Sequence, residues 1–225
     1  MINSAKRLGV TLVCAIVGCA FSASAQSLEM TKIVLQYSSS EIAPDSFATK
    51  PKTVYRVGDK YSRIEEEPDP QRNVHIFIIT KEPDSWTVDL VSRTAQHIVD
   101  PGPSFNARIP ILWSPTRQGQ SDADKELTRL EFGGEAHFFR LHDQRDLGVR
   151  TIDNKECQAF AIKVGARELV LMLDKNTQKP VQIDVSKDGK PEFSVHYISY
   201  ETGLAFDPSL FELPQGLKVT ESRSK

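Results

Sequence analysis

Apolar and polar residues alternate with a period of two along most of the chain, the signature of β-strands with one buried face. Thr31 to Tyr37 sets Ile33, Leu35 and Tyr37 on one face and Lys32 and Gln36 on the other. Lys52–Val57 and Tyr61–Glu66 flank Gly58-Asp59, a hairpin signal. Asn73 to Thr80 is apolar on both faces apart from His75, which predicts a strand well inside a sheet. Trp86, Val88 and Leu90 then alternate with Thr87 and Asp89, and Thr94 to Val99 adds a further strand before Asp100-Pro101-Gly102-Pro103 breaks the pattern.

The second half repeats this logic. Phe160, Ile162 and Val164 alternate, Gly165-Ala166 turns the chain into Glu168–Asp174, and Asp188-Gly189 joins Pro180–Ser186 to Glu192–Tyr200. The pattern predicts about nine or ten strands in two meanders. The section between them, Ser104–Asp146, is different, with short helices expected within Ala123–Leu130 and Glu135–His142. A sheet of this size must curl, close or be covered on its apolar face. The fold class expected is therefore mainly β (α+β): a curled antiparallel sheet forming an incomplete β-barrel, covered on its concave side by short helices. A two-sheet sandwich fits less well, because it leaves the helical section outside the core.

The first 25 residues stand apart. Lys6 and Arg7 precede an apolar run, Leu8–Phe21, and Ala23-Ser24-Ala25 precedes Gln26, which together read as a secretory signal peptide. Residues 26–225 then form a single domain, periplasmic and soluble after cleavage. A rival reading lies within the same run: Ile16-Val17-Gly18-Cys19 resembles a lipobox, in which Cys19 is acylated and anchors the chain to a membrane. The mature part holds no apolar stretch near the 18 residues that a transmembrane helix needs. Cys157 is its lone cysteine, so an internal disulfide is ruled out and stability must come from the core.

With 39% hydrophobic and 26% charged residues over 225 positions, the composition is that of a globular chain. A formal net charge of −2, without a basic stripe carrying interleaved aromatics, argues against a nucleic-acid partner. G-x-S-x-G, H-E-x-x-H, C-x-x-C, P-loop and G-x-G-x-x-G motifs are all missing. Cys157 reads as a semi-buried structural thiol rather than a nucleophile. Glu135, His137, His142 and Asp143 form the densest group of possible metal ligands. His137 and His142 are five apart, which on a helix separates them by about 140° and on a strand sends them to opposite faces. Neither a metal, a cofactor nor a catalytic residue is expected.

Several stretches together resemble the bacterial outer-membrane lipoprotein-sorting (LolA/LolB-like) superfamily. They are the early hairpin Tyr55-Arg56-Val57-Gly58-Asp59-Lys60-Tyr61-Ser62-Arg63-Ile64, the run Ile78-Ile79-Thr80 leading to Trp86-Thr87-Val88-Asp89-Leu90, Thr177 to Ile183, and the closing segment Phe206-Asp207-Pro208-Ser209-Leu210-Phe211-Glu212-Leu213-Pro214. The similarity spans most of Leu28–Val219. It implies an incomplete antiparallel barrel, capped by helices, around a hydrophobic cavity for acyl chains. The founding carrier has an arginine between aromatic residues in its early hairpin, whereas Arg63 stands between Ser62 and Ile64. Arg63 is thus a candidate for contacts at the cavity mouth, with an ion pair to Glu65 as the plainer alternative.

The expected function is a non-catalytic, exported carrier of lipid or lipoprotein acyl chains. Its cavity and lid candidates are Val74, Ile76, Ile78, Trp86, Val88, Leu90, Phe138 and Phe139, with Phe105–His142 as the lid. The alternative is a solid-cored envelope scaffold that binds a protein partner through an exposed sheet edge.

Overall fold

The computed structural model describes residues 28–43, 46–99, 107, 109–112 and 121–222. The expected signal peptide and Cys19 lie outside the described residues, as do residues 105, 106, 108 and 113–120 of the segment expected to form the lid.

Twelve strands form one sheet: β1 (Glu29–Ser38), β2 (Lys52–Val57), β3 (Tyr61–Glu66), β4 (Ile76–Lys81), β5 (Asp84–Asp89), β6 (Thr94–Val99), β7 (Arg145–Ile152), β8 (Lys155–Val164), β9 (Arg167–Asp174), β10 (Pro180–Lys187), β11 (Lys190–Ala205) and β12 (Lys218–Glu221). Their spatial order is β12-β6-β5-β4-β3-β2-β1-β11-β10-β9-β8-β7. Two antiparallel meanders, β1–β6 and β7–β11, are thus joined where β11 pairs with β1. The last strand crosses back to lie parallel to β6 at the far edge. Among the described residues the sheet is curled and does not close, so the expected incomplete half-barrel is the fold observed.

Among the described residues the middle section gives two short helices, α1 (Asp122–Leu127) and α2 (Glu135–Arg140). Helices of one and a half turns gain little from propensity and depend on caps and packing. In α1 the Ser121 hydroxyl accepts from the Asp124 amide while the Asp124 carboxylate accepts from the Ser121 amide, a complete capping box. In α2 the buried side chains of Glu135, Phe138 and Phe139 tie the helix down.

Residues paired across strands share a face, and neighbours along a strand alternate. Ile33, Leu35 and Val54 face the helices and join Leu127, Leu130, Phe132, Phe138 and Phe139 with Ile162, Leu169, Leu171, Ile183 and Val195 in one core. Met30 and Val57, three positions from Ile33 and Val54, lie on the opposite face. There they join Phe77, Ile79, Val88, Ala95 and Phe211 in a second core. Its cover is the C-terminal strap after β11, from Phe206 through the short turn Pro208–Phe211 to Leu217, which packs across β3 to β6. A smaller cluster of Cys157, Ala159, Met172 and Val181 occupies the outer face of β8–β10. The buried face therefore changes sides along the sheet, and the exchange happens on β1 and β2.

Candidate functional site

The ends of β1, β2, β3, β9, β10 and β11 meet at one end of the helix-covered face, and α1 stands over them. Between them lies a cleft of about 960 Å³. Its apolar wall is Tyr37 and Phe193 from the sheet, with Ile111, Leu112 and Leu127 from the middle section. Tyr37 and Phe193 rings are 6.0 Å apart, and the Tyr37 hydroxyl donates to the Ile111 carbonyl at 3.3 Å, tying the middle section to β1. Burial pushes the Tyr37 phenol well above its ordinary pKa, so it stays a neutral donor.

The rim is charged and internally paired. Lys52 meets Glu66 at 3.1 Å across β2 and β3. Arg167 holds Glu192 through two nitrogens, Nε at 2.8 Å and Nη2 at 3.1 Å, and reaches Asp124 on α1 with Nη1 at 2.9 Å. This three-way contact fastens α1 to the tips of two hairpins. Glu192, its first cause, raises the Arg167 pKa, while the Ser121 hydroxyl and amide and then Arg167 hold Asp124 below the usual carboxylate range. Gly165 makes the same junction close: its φ is +62°, and a side chain there would put its Cβ 2.7 Å from that of Ala123. The cleft therefore combines an apolar wall, a charged mouth and a short helix along one side.

A second polar centre lies beneath α2. Glu135 is 1% exposed and accepts from the Tyr197 hydroxyl at 3.0 Å, the Tyr200 hydroxyl at 3.1 Å and the Gly133 amide at 3.0 Å. Burial raises its pKa above the ordinary carboxyl value despite these donors. Arg56 braces the loop before it, bonding the Phe132 carbonyl at 2.9 Å and the Glu131 carboxylate at 2.8 Å. His137 is exposed and His142 turns toward Glu126 at 3.3 Å, so the histidines and Glu135 do not converge. Cys157 is fully buried, and burial pushes its thiol up.

The residues picked out from the sequence as cavity lining are divided between the two faces of the sheet. Phe138 and Phe139 are buried under α2. Val88, with Trp86 and Leu90 beside it, lies under the C-terminal strap on the other face. On β4 it is Phe77 and Ile79 that enter this core; Ile76 is half-buried and Ile78 is 40% exposed on the face toward the helices. Val74 bridges Asp69 just before that strand. Arg63 also lies under the strap. Its guanidinium sits 4.0 Å above the Phe77 ring, donates to the Leu210 carbonyl at 2.9 Å and pairs with Glu65 at 3.0 Å. None of these nine residues lines the cleft. Its residues come from the ends of six strands, the loops beside them and α1. In the sequence Tyr37 stands out as the last inward position of β1, and Ile111, Leu112, Asp124, Leu127 and Thr128 fall within the segment expected as a lid.

The architecture defines a class, an open curled antiparallel sheet with short helices laid across one face. Among solved structures the chain is similar to an uncharacterised conserved protein from Thermus thermophilus, with 11% identity over 88% of this chain and 92% of that one and a TM-score of 0.52. MucB matches at 10% identity and a TM-score of 0.44, over 86% of this chain but 60% of MucB. A LolA superfamily protein from Nitrosomonas europaea matches at 12% identity and a TM-score of 0.30, over 84% of this chain and 91% of that one. The likeness of fold rests on the Thermus protein. No family model and no curated protein matches the chain. Among the described residues no helix is long and apolar enough to cross a membrane.

Proposed function

We propose that this protein is a non-catalytic, exported binding protein that takes the acyl chain of a lipid or lipoprotein into the cleft beside α1. The observation that supports the reading is the cleft itself: about 960 Å³ of space with Tyr37, Ile111, Leu112, Leu127 and Phe193 along its wall. Its size suits a small amphiphile. The driving force is desolvation, worth about 0.8 kcal/mol for each CH₂ removed from water. The paired charges of Arg167, Asp124 and Glu192 keep the mouth wet and place the polar head of the ligand outside. The wider interior under the helices is filled by side chains, so the ligand occupies the end of the half-barrel and not its centre. In this reading residues 1–25 are the export signal, Gln26 begins a soluble periplasmic chain, and acylation at Cys19 is the membrane-anchored alternative.

Native mass spectrometry with palmitate tests the proposal. A one-to-one adduct is expected for the wild type and its loss for Phe193→Asp, with circular dichroism confirming that the variant stays folded. Equal uptake by both proteins, or none by the wild type, would remove the cleft as the site.

A second reading, a scaffold that accepts a partner strand, is supported by β7. This strand pairs only with β8 among the described residues, and Val149 on it is 52% exposed. Val149→Pro should abolish partner capture under that reading and leave palmitate uptake unchanged.

A further inference from the structure

His97 on β6 stands between acids from the strands on either side. Its Nε2 is 2.7 Å from Oδ1 of Asp84 on β5, and its Nδ1 is 2.8 and 3.0 Å from the two carboxylate oxygens of Glu221 on β12. The ring lies flat on Trp86, with centroids 5.0 Å apart and planes 11° from parallel. A carboxylate only accepts hydrogen bonds, and a neutral imidazole has one N–H to give. Both contacts are satisfied together only when the ring carries two protons.

Beyond its short ladder with β6, β12 has little other side-chain anchoring among the described residues. All four of its residues are exposed. Its backbone runs in a four-residue parallel ladder with β6, from Lys218 opposite Thr94 to Glu221 opposite His97, with further bonds at the ends from the Lys218 amide to the Arg93 carbonyl at 2.9 Å and from the Ser222 amide to the His97 carbonyl at 2.8 Å. The Thr220 hydroxyl adds a long bond to the Ala95 carbonyl at 3.4 Å. Strand β12 is also the only cover for the outer edge of β6 among the described residues.

We propose that His97 is a proton-operated latch: doubly protonated, it fastens β12 to the sheet edge through Glu221 and Asp84 at once, and neutral, it releases one acid and β12 leaves β6. The charged groups facing the ring are Asp84 from β5 and Glu221 from β12; Trp86, beneath it, carries none. Both acids raise the His97 pKa above its ordinary value, Glu221 most. A raised histidine stabilises the attached strand at pH below its unfolded pKa, and this contribution disappears as pH rises through the folded value. The latch is therefore closed in acid and opens on the alkaline side, and opening exposes the β6 edge to another strand.

The test is amide hydrogen exchange on the full chain between about pH 5 and about pH 9, each rate divided by its intrinsic value, with the His97 ring followed by NMR. Protection at Ser222 and across 218–222 should fall about tenfold as His97 titrates, while amides of β3 and β4 stay level. Glu221→Gln should show the weak protection at every pH, and His97→Gln should behave the same way. Constant protection in the wild type through the titration of His97 would overturn the proposal, as would a pH-dependent loss that persists in Glu221→Gln.

Discussion

The two halves of the sheet solve the same problem in opposite ways. On the β8–β11 side the apolar face is covered by α1, α2 and their loop, short elements held by specific polar contacts such as Glu135 with its two tyrosines. On the β3–β6 side the face toward the helices stays partly open, and the buried face is the opposite one, under an extended strap anchored by Arg63. A helix needs only a stripe of side chains to bury a sheet, but its ends leave polar groups that must be met. An extended strap adds apolar residues with little regular backbone pairing and relies on aromatic packing, here Tyr61, Phe206 and Phe211 within 5.2 to 5.9 Å of one another. One cover is thus fixed mainly by polar geometry and the other by ring contacts.

The strongest way to break this comparison is to empty each core in turn. Phe139→Ala on the helix side and Phe77→Ala on the strap side should each cost about 3–5 kcal/mol in urea unfolding. Because β1 and β2 feed both cores, each variant should still unfold in one transition by fluorescence and by circular dichroism; two separated transitions would show that the halves are independent units. The next effect isolates the polar anchor. Glu135→Ala should cost about 2–3 kcal/mol by leaving buried donors unmet. The raised pKa of Glu135 means that the stability present below the ordinary glutamate range is lost as pH rises through the folded value. The wild type should therefore lose stability relative to Glu135→Gln as pH increases, and a constant difference between the two curves would refute the titration assigned to this buried carboxyl.

Smaller changes sharpen the picture at the two anchoring points. Gly165→Ala forces an alanine into a left-handed backbone and against Ala123, and should cost about 2 kcal/mol while loosening α1, read as faster amide exchange there. Arg63→Ala removes the cation over Phe77 and the bond to Leu210; about 1 kcal/mol is expected, with exchange increased in the strap and not in α1.

The contrast also explains what can be read from the sequence. Strands such as Lys52–Val57 and Thr94–Val99 have the bounds that their alternation predicts; α2 falls inside its expected helical window, and α1 begins one residue before its own, at Asp122. Strand β7 is not legible because it is exposed on both faces, with Arg145, Asp146 and Arg150 interrupting any alternation, and β12 is four exposed residues long. Alternation gives the period of a strand but not which face will be covered. On β4 both faces are apolar, so Ile76 and Ile78 compete on equal terms with Phe77 and Ile79, and only the distant strap decides between them. The cleft is illegible for the same reason: Tyr37, Leu127, Arg167 and Phe193 become neighbours only after two meanders and a helix have been placed.

The pairing of β1 with β11 has a consequence for the order in which the molecule can be completed. A chain emerging from its N-terminus presents β1 to β6 long before Lys190 to Glu221 appears. Until then the inner edge of β1 has no partner, and Phe77, Ile79 and Val88 have no strap above them. The nascent protein thus passes through a stage with an open strand edge beside a bare apolar face, the combination most prone to aggregation. Truncating the chain after β10 would hold it at that stage, and a holdase that recognises extended apolar strands would find its binding site there.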